Sequence, residues 1–214
     1  RWDYRQSQVG IWGDYDNDGW QDLYVVNYDT PDELYHSDGG TSFSRASEGL
    51  MATPGSGYAA TWCDLEGDGR LDLVVPRYDV PSWQLRNTAD NGNHWLRVRL
   101  VGSQDADAPG NTEAFGAVIR LGTASGVQSR VVSCQHGRGG QPPRWEHFGL
   151  GAETEITSLE VIWPDGRTTS LEDPGLIGVD RLVTLHEEDF PTSVASQDDP
   201  SGVFELSNCY PNPF

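Results

Sequence analysis

The chain has 214 residues and carries 33 acidic against 14 basic side chains, which gives a net charge of −19 at pH 7. An acidic excess of this size repels phosphate backbones and argues against a nucleic-acid partner. No stretch approaches the roughly 20 apolar residues of a membrane-spanning helix, so no membrane span is expected. The charge is typical of a protein whose carboxylates bind cations, although a merely solubilising acidic surface would look the same.

An internal duplication with a period of 50 residues occupies the first part of the chain. Between Trp12 and Pro31, ten of twenty positions are identical to the residue 50 positions later. The identities include Trp62 ahead of an acidic loop and Tyr78 after it. Repeats of this length are typical of stacked or propeller architectures, in which each repeat is one supersecondary unit. The chain is therefore expected to contain two copies of one unit.

The first copy carries an acidic loop in which every second residue of the first turn is a carboxylate. Positions 1, 3, 5 and 9 of the loop are Asp14, Asp16, Asp18 and Asp22. Alternate residues of a tightly turning loop point inward, and Gly19 permits the sharp turn. The backbone carbonyl of Trp20 would add a further oxygen. Such an all-oxygen set favours a hard cation, with calcium preferred over magnesium because the ligands are numerous and the loop is flexible.

The second copy repeats this arrangement with one change among its acidic positions. Its expected ligands are Asp64, Glu66, Asp68, the backbone carbonyl of Arg70, and Asp72. Glu66 is one methylene longer than the aspartate at the matching position, so weaker or looser binding is expected there. The alternative for both loops is a solvated acidic turn, but crowded carboxylates repel one another without a counter-ion. The sequence thus predicts about two bound calcium ions (Ca2+), one in each loop.

The sequences around the loops predict strands rather than helices. Residues 9–12 lead into the first loop and residues 23–26 lead out of it, and both segments are rich in β-formers. Val25 and Val75 stand at position 12, where an EF-hand requires its bidentate glutamate. A strand, a metal loop and a second strand that recur with this period fit the blade of a propeller.

The pattern resembles the FG-GAP/VCBS repeats of integrin-α-like propellers over about residues 6–88. The blade ending of that family is matched by Asn27-Tyr28, Leu34-Tyr35 and Asp38-Gly39-Gly40 with Phe43. The resemblance implies propeller-type blades with calcium in both loops. Two repeats cannot close a ring, so either further blades upstream of Arg1 or an open edge is expected.

After about residue 93 the sequence changes to a series of short predicted strands. Residues 95–100 alternate, with Leu96, Val98 and Leu100 on one face and arginines on the other. Further strands are predicted at residues 117–121, 128–133, 159–163, 168–171 and 181–186. The turn signal Pro164-Asp165-Gly166 predicts a hairpin between two of them. Many short strands without a sustained helical period favour a small β-sandwich.

This second half resembles the ASPIC/UnbV domain over about residues 92–188. The matching motifs are Asn93-His94-Trp95-Leu96, Phe115-Gly116-Ala117, His147-Phe148-Gly149-Leu150-Gly151 and residues 161–166. The polar stretch at residues 103–113 departs from the family pattern and is interpreted as a longer loop. The resemblance implies an extracellular domain that commonly follows FG-GAP repeats, and it leaves the ligand undefined.

The end of the chain follows a linker at residues 189–202 that is rich in Asp, Ser and Pro. The string Tyr210-Pro211-Asn212-Pro213-Phe214 resembles the opening of C-terminal sorting domains in type IX-like bacterial secretion. The resemblance implies a secreted or surface-displayed bacterial protein of which this chain is a part. The expected domains are residues 1–91 with two calcium repeats, 92–188 with the ASPIC/UnbV β-sandwich, and 189–214 with a linker and a truncated sorting domain.

No catalytic motif is recognised in the sequence, so a non-catalytic protein is expected. None of the five histidines forms an H-E-x-x-H pair, and Ser56 lacks the flanking spacing of a hydrolase nucleophile. His147 belongs to the ASPIC/UnbV motif and is expected to be structural. The cysteines are too scattered for a zinc site, and the sequence does not tell whether any two of them pair: Cys63, Cys134 and Cys209.

These features predict an extracellular calcium-binding adhesion or ligand-binding module whose partner is a protein or a carbohydrate at the cell surface. The alternatives left open are an accessory region of a larger secreted polysaccharide-active enzyme, a self-assembling structural or filament subunit, and a link to natural-product biosynthesis. Three tryptophans either stack on sugars or belong to the core: Trp20, Trp83 and Trp145. Four arginines either line an anion-binding sheet face or are solvated strand positions: Arg97, Arg99, Arg120 and Arg130.

Overall fold

The computed structural model describes residues 7–47, 54–78, 80–103, 111–135, 137 and 139–190. This part of the chain forms short strands in four sheets, with short 3-10 helices at Pro174–Leu176 and Glu187–Asp189. The expected all-β fold is thereby confirmed, and the described sheets do not form a closed propeller. The chain divides into two compact units. One holds the described residues as far as Asn93 together with Cys134–Pro143, and the other holds the rest.

The first sheet of the first unit corresponds to the first sequence repeat. Its antiparallel strands follow one another in chain order: β1 (Ser7–Gly13), β2 (Asp22–Asn27), β3 (Glu33–Ser37) and β4 (Phe43–Arg45). Ile11 pairs with Tyr24 and both side chains are buried, whereas Trp12, which pairs with Leu23, is on the more exposed face. The strands predicted on both sides of the first acidic loop are therefore present.

The second sheet corresponds to the second repeat and has three antiparallel strands: β5 (Thr61–Cys63), β6 (Asp72–Val75) and β7 (Trp83–Leu85). Trp62 pairs with Leu73, and both side chains are buried. The Trp62 indole lies against Gly13, where a Cβ atom would come within 2.5 Å of the ring. It also meets Tyr24 edge-on, with 6.2 Å between the ring centroids. One apolar face of the second repeat is thus packed directly on the first repeat.

A segment from the second half of the sequence also belongs to this first unit. Cys134–Pro143 follows the predicted strand at residues 128–133, yet it packs with the two repeats. A Cβ atom on Gly137 would lie 2.0 Å from Cγ2 of Val9, so the backbone approaches β1 closely. The Thr61 hydroxyl donates a hydrogen bond to the Gln141 carbonyl at 3.3 Å. The chain therefore passes between the two units more than once.

The second unit consists of a four-stranded and a three-stranded sheet. The larger sheet contains β9 (Val118–Thr123), β10 (Gly126–Val131), β12 (Ser158–Ile162) and β13 (Thr168–Ser170), in the order β10-β9-β12-β13. The smaller sheet contains β8 (His94–Val101), β11 (Glu146–Gly151) and β14 (Arg181–His186), in the order β11-β8-β14 with β14 parallel to β8. Both sheets contribute to one buried apolar cluster, as Leu96, Ile119 and Phe148 illustrate. This arrangement agrees with the small sandwich expected from the sequence.

The hairpin predicted at Pro164-Asp165-Gly166 joins β12 to β13. The Trp163 N–H donates to the Arg167 carbonyl at 2.8 Å, and the Gly166 N–H donates to the Trp163 carbonyl at 2.9 Å. Gly166 has a φ of 88°, which glycine adopts without steric strain. The turn prediction is confirmed because its glycine occupies the one position that requires a left-handed backbone.

Strand β11 was not predicted from the sequence, because its residues do not alternate between apolar and polar. It nevertheless contains the motif that begins at His147. Its residues from Glu146 to Leu150 are all buried, so the two faces of the strand do not differ in polarity. Glycines at positions 149 and 151 weaken the propensity signal further. Only its pairing with β8 in the folded unit identifies it as a strand.

The structure also bears on the expected absence of a membrane span and on the open question of cysteine pairing. Among the described residues, no helix combines the length and apolarity needed to cross a membrane. Cys63 and Cys134 are not in a disulfide, and Cys209 lies outside the described residues.

Candidate metal centre

The first acidic loop connects β1 to β2, and the pairing of Gly13 with Asp22 closes its base. Asp14 and Asp22 are completely buried, whereas Asp16 and Asp18 are partly exposed. The loop therefore holds two of its predicted ligands inside the fold and two closer to solvent.

Backbone N–H groups of this loop donate to its own carboxylates. Asp14 accepts hydrogen bonds from the N–H groups of Asp18 (3.1 Å) and Gly19 (2.9 Å), and Asp18 accepts one from Trp20 (2.8 Å). Asn17 and Gly19 have φ values of 60° and 96°, in the left-handed region that Asn and Gly adopt most readily. This tight winding turns the alternate carboxylates inward, as their spacing predicts.

Asp14, Asp16 and Asp18 converge so that one oxygen of each lies within 4.8 Å of the others. Burial raises the pKa of Asp14 well above its ordinary value, and the Asp18 carboxylate raises it further, against the lowering effect of the Gly19 N–H. Burial also raises the pKa of Asp18. Ionised carboxylates in this arrangement repel one another, and a cation between them removes the repulsion. Because the donors of these three converging side chains are all oxygen, they fit a hard cation such as calcium.

Asp22 lies beside His36, a residue that the sequence pattern did not single out. The Asp22 carboxylate accepts hydrogen bonds from the N–H groups of Ser37 (2.8 Å) and Tyr15 (3.1 Å). His36 Nδ1 lies 3.2 Å from Asp22 Oδ1 and 3.4 Å from Asp16 Oδ2. Burial raises the pKa of Asp22 to about 6, although the two N–H groups and His36 lower it. The imidazole therefore adds a nitrogen donor or a counter-charge at the edge of the carboxylate set.

The hairpin register explains why His36 reaches the loop. Leu23 of β2 pairs with Tyr35 of β3, so the next pair outward brings residues 22 and 36 together. The sequence placed Leu34-Tyr35 in a blade ending but did not specify its register. The short connection between β2 and β3 limits how the two strands can pair. A pairing register derived from it would have placed His36 opposite Asp22.

The second loop, between β5 and β6, follows the same backbone path. Asp64 accepts hydrogen bonds from the N–H groups of Gly67 (2.6 Å), Asp68 (3.0 Å) and Gly69 (2.7 Å). Asp72 accepts one from the N–H of Leu65 at 2.9 Å, as Asp22 does from Tyr15 in the first loop. The duplication seen in the sequence is therefore also a duplication of loop conformation.

The second loop differs from the first in where its outer acidic side chains lie. The Arg70 guanidinium is paired with the Asp68 carboxylate, and Glu66 lies 3.3 Å from Arg86. Three ligand atoms from Asp, Glu, His or Cys side chains lie within 4.8 Å of one another around the first loop. No such group is found around the second loop within the described residues. The structure thus brings three predicted ligands of the first loop together, Asp14, Asp16 and Asp18. In the second loop, Asp68 and Glu66 lie beside arginines instead.

The two residues expected to contribute backbone carbonyls differ in their side chains. Trp20 has an indole that is 49% exposed and a backbone N–H bonded to Asp18, an arrangement suited to a residue that acts only through its main chain. Arg70 has an equivalent N–H bond to Asp68 at 3.0 Å, but its side chain also pairs with that carboxylate. A cation in the second loop would therefore compete with Arg70 for Asp68.

The arginines considered as an anion-binding face do not share a sheet. Arg97 lies on β8, whereas Arg120 lies on β9 of the other sheet. Arg97 is buried, and its guanidinium carbon lies 4.4 Å from the centroid of Trp95 and 5.1 Å from that of Trp145. Arg120 is exposed, with Glu160 at 3.1 Å. The solvated alternative describes Arg120 but is wrong for Arg97.

Residues 14–75 match the family model of the FG-GAP-like repeat, and residues 107–191 match that of ASPIC and UnbV. No curated protein matches the chain. The two matches confirm the FG-GAP and ASPIC/UnbV resemblances inferred from the sequence. The sorting-tail resemblance at residues 210–214 lies outside both matched ranges and outside the described residues.

Proposed function

We propose that this chain is part of an extracellular calcium-binding module that adheres to, or binds, a protein or carbohydrate partner and does not catalyse a reaction. The observation that supports it most is the convergence of Asp14, Asp16 and Asp18 in a duplicated loop. FG-GAP repeats are typical of extracellular proteins, and calcium is abundant enough outside cells to fill sites with dissociation constants of about 10⁻⁴ to 10⁻³ M.

The first loop holds its ion through four carboxylates and one main-chain oxygen: Asp14, Asp16, Asp18, Asp22 and the carbonyl of Trp20. The ion supplies positive charge where the carboxylates repel one another. Its binding energy then stabilises the loop that connects β1 to β2, because the unfolded chain does not present this arrangement. The ion therefore has a structural role and stabilises the fold of the first repeat.

The second loop binds its ion more weakly in this proposal. Asp64 and Asp72 are held as in the first loop, but Asp68 is paired with Arg70 and Glu66 lies beside Arg86, so an ion competes with these arginines. Breaking exposed ion pairs costs roughly 1 kcal/mol or less each. This cost lowers the affinity of the second site without abolishing it.

A structural or self-assembling role is the second candidate function, and the position of Trp12 favours it. Trp12 occupies the same place in the first repeat as Trp62 in the second, yet it is 52% exposed. Phe43, 6.0 Å away between ring centroids, is also exposed. Calcium-dependent polymers in light scattering would support this role, and a strict monomer would exclude it.

The calcium proposal is tested by calorimetric titration and by thermal melts in calcium and in chelator. We expect two ions to bind, and saturation at about 100 times the dissociation constant to stabilise the fold by about 2.7 kcal/mol per site. Asp14→Asn should remove the tighter site and Asp64→Asn the weaker one, because each loses a ligand charge.

Asp29→Asn is the matched control, since it makes the same change at an exposed position of the first repeat outside the loop. Its titration should equal that of the unaltered protein. Identical melts in calcium and chelator, together with no binding heat, would show that the loops are solvated turns.

A further inference from the structure

The two acidic loops are joined by a hydrogen bond from a residue that is not among the predicted ligands. Asn17 lies in the first loop between Asp16 and Asp18, and its side chain is buried. Its amide nitrogen donates to the backbone carbonyl of Gly69, 3.1 Å away in the second loop. Gly69 is flanked by Asp68 and Arg70, which are both expected to contact the second ion.

Asn87 makes a second connection between the loops. Its backbone N–H donates to Asp72 Oδ1 at 2.8 Å and so fixes a predicted ligand of the second ion. Its side-chain amide donates to the backbone carbonyl of Tyr15 in the first loop at 2.5 Å, and to that of Leu71 at 3.2 Å. One residue therefore contacts both loops at once.

The segment that follows Asn87 adds further contacts to the first loop. The side-chain amides of Asn91 and Asn93 donate to the backbone carbonyl of Asp16 at 2.5 Å and 2.9 Å. These hydrogen bonds connect the backbone around Asp16 to the segment that carries Asn87.

We infer that the two loops form one coupled two-ion centre, in which a divalent cation in one loop increases the affinity of the other. This inference rests on the proposed calcium function. Coupling requires that each ion favours the loop conformation in which the linking hydrogen bonds form. Asn17 and Asn87 are positioning residues in this scheme, since they act on the ligands through the loop backbone.

The internal duplication provides a substitution that isolates the Asn17 bridge. Gly67 stands at the matching position of the second loop with a φ of 75°, close to the 60° of Asn17. Asn17→Gly therefore permits the same left-handed backbone and removes the side chain whose amide reaches Gly69. Asn87→Ala removes the amide to the first loop and keeps the backbone N–H to Asp72.

The experiment measures terbium, a calcium substitute, by luminescence excited through tryptophan. Because Trp62 lies two residues before Asp64 of the second loop, Asp14→Asn identifies the part of the signal that belongs to the first loop. We expect Asp64→Asn, which disables the second loop, to weaken terbium at the first loop about 5- to 10-fold, near the low end of measured coupling between sites. In the Asn17→Gly/Asn87→Ala background, the same substitution should change the affinity less than about 2-fold.

Gly39→Asn is the control, because it exchanges the same residue types at a left-handed position with no atom near its Cβ, outside both loops. It should leave the coupling factor unchanged. Terbium binding that is indifferent to Asp64→Asn would overturn the coupling and leave the calcium function intact. A coupling factor that persists without both amides would overturn the assignment of Asn17 and Asn87. Absence of any terbium or calcium binding would overturn the proposed function and this inference together.

Discussion

Asp32 and Arg77 form an ion pair that is almost completely buried in the first unit, with 0% and 1% of their side chains exposed and 2.8 Å between their charged atoms. Asp32 also accepts hydrogen bonds from the Tyr24 hydroxyl and the Asn27 N–H, both at 2.8 Å. The Arg77 guanidinium carbon lies 3.1 Å from the centroid of Trp83. Because Asp32 belongs to the first repeat and Arg77 to the second, the pair ties the repeats together.

Arg77→Met should destabilise the protein by about 3–5 kcal/mol, because it leaves the Asp32 carboxylate buried without its counter-charge. Urea unfolding at neutral pH measures the effect. The double variant Asp32→Asn/Arg77→Met should recover part of the loss, since no unpaired charge remains. Arg120→Met is the control: the Arg120 side chain is 51% exposed and its partner Glu160 is 33% exposed, so a change of less than about 1 kcal/mol is expected. Equal effects of Arg120→Met and Arg77→Met would contradict this explanation.

Glu146 and His147 are adjacent buried groups on β11 whose ionisation is shifted in opposite directions. Burial raises the pKa of Glu146 from 4.5 to about 7, although Arg130 and the Ser133 N–H lower it. Burial lowers the pKa of His147 from 6.5 to about 3, and Arg130 and Arg97 lower it further. Glu146 therefore contributes stability at low pH that is lost as the pH rises from 4.5 to about 7. His147 has the opposite effect and lowers stability as the pH falls from 6.5 to about 3.

Glu146→Gln should isolate the glutamate contribution. The variant and the unaltered protein are expected to be equally stable near pH 4, where the glutamate is protonated in both states. At pH 8 the variant should be more stable by about 3 kcal/mol, because it avoids burying a charge. Urea unfolding at both pH values measures the difference, with Glu160→Gln on the more exposed side of β12 as control. A difference that does not change with pH would rule out ionisation of Glu146 as its cause.

At the scale of elements, each of the two β-sheets of the first unit has a tryptophan at the equivalent position, and the two differ in exposure. Trp62 is 8% exposed and packs on Gly13 and Tyr24 of the neighbouring sheet. Trp12, its counterpart 50 residues earlier, is 52% exposed. The strand pairings of the two tryptophans correspond. Within the described part of the chain, a neighbouring sheet packs on Trp62, whereas Trp12 contacts Phe43 of its own sheet.

Trp62→Ala should therefore cost about 3–5 kcal/mol of unfolding free energy, as for other buried aromatic residues, because it opens a cavity between the sheets. Trp12→Ala, the same chemical change at the matching position, should cost less than about 1 kcal/mol. Chemical denaturation followed by circular dichroism measures both. A large loss for Trp12→Ala in a monomeric protein would show that this face is covered in solution.

For the molecule as a whole, the acidic loops and the second apolar core belong to different units. The buried cluster of the second unit is built from β8, β9, β11, β12 and β14, and the acidic loops lie in the first unit. The calcium dependence expected above should therefore appear in the first unit, and hydrogen exchange in calcium and in chelator would locate it. The net charge of the chain is a consequence of many surface positions as well as the loops.

Much of the candidate site could be predicted because it depends on residues close together in the sequence. The alternation from Asp14 to Asp18 and the glycine that follows determine a tight turn, and the loop hydrogen bonds of the structure follow from that spacing. The strands beside the loop and the hairpin at Gly166 were equally predictable from local chemistry. The second loop could be located as well, because the same acidic spacing recurs 50 residues later in the chain.

The sequence by itself determined the local features of this protein: two acidic loops between strands, the end of the acidic repeats and start of a series of short strands near residue 93, and an all-β composition. Only the tertiary structure decided which distant residues meet the loops. His36 reaches Asp22 through the register of β2 and β3, and Asn17 reaches Gly69 because the two repeats pack together. Arg70 engages Asp68 in the second loop, where the first loop has Trp20. Spacing determines how a short loop turns, whereas contacts between distant segments depend on sheet register and packing, which no local pattern specifies.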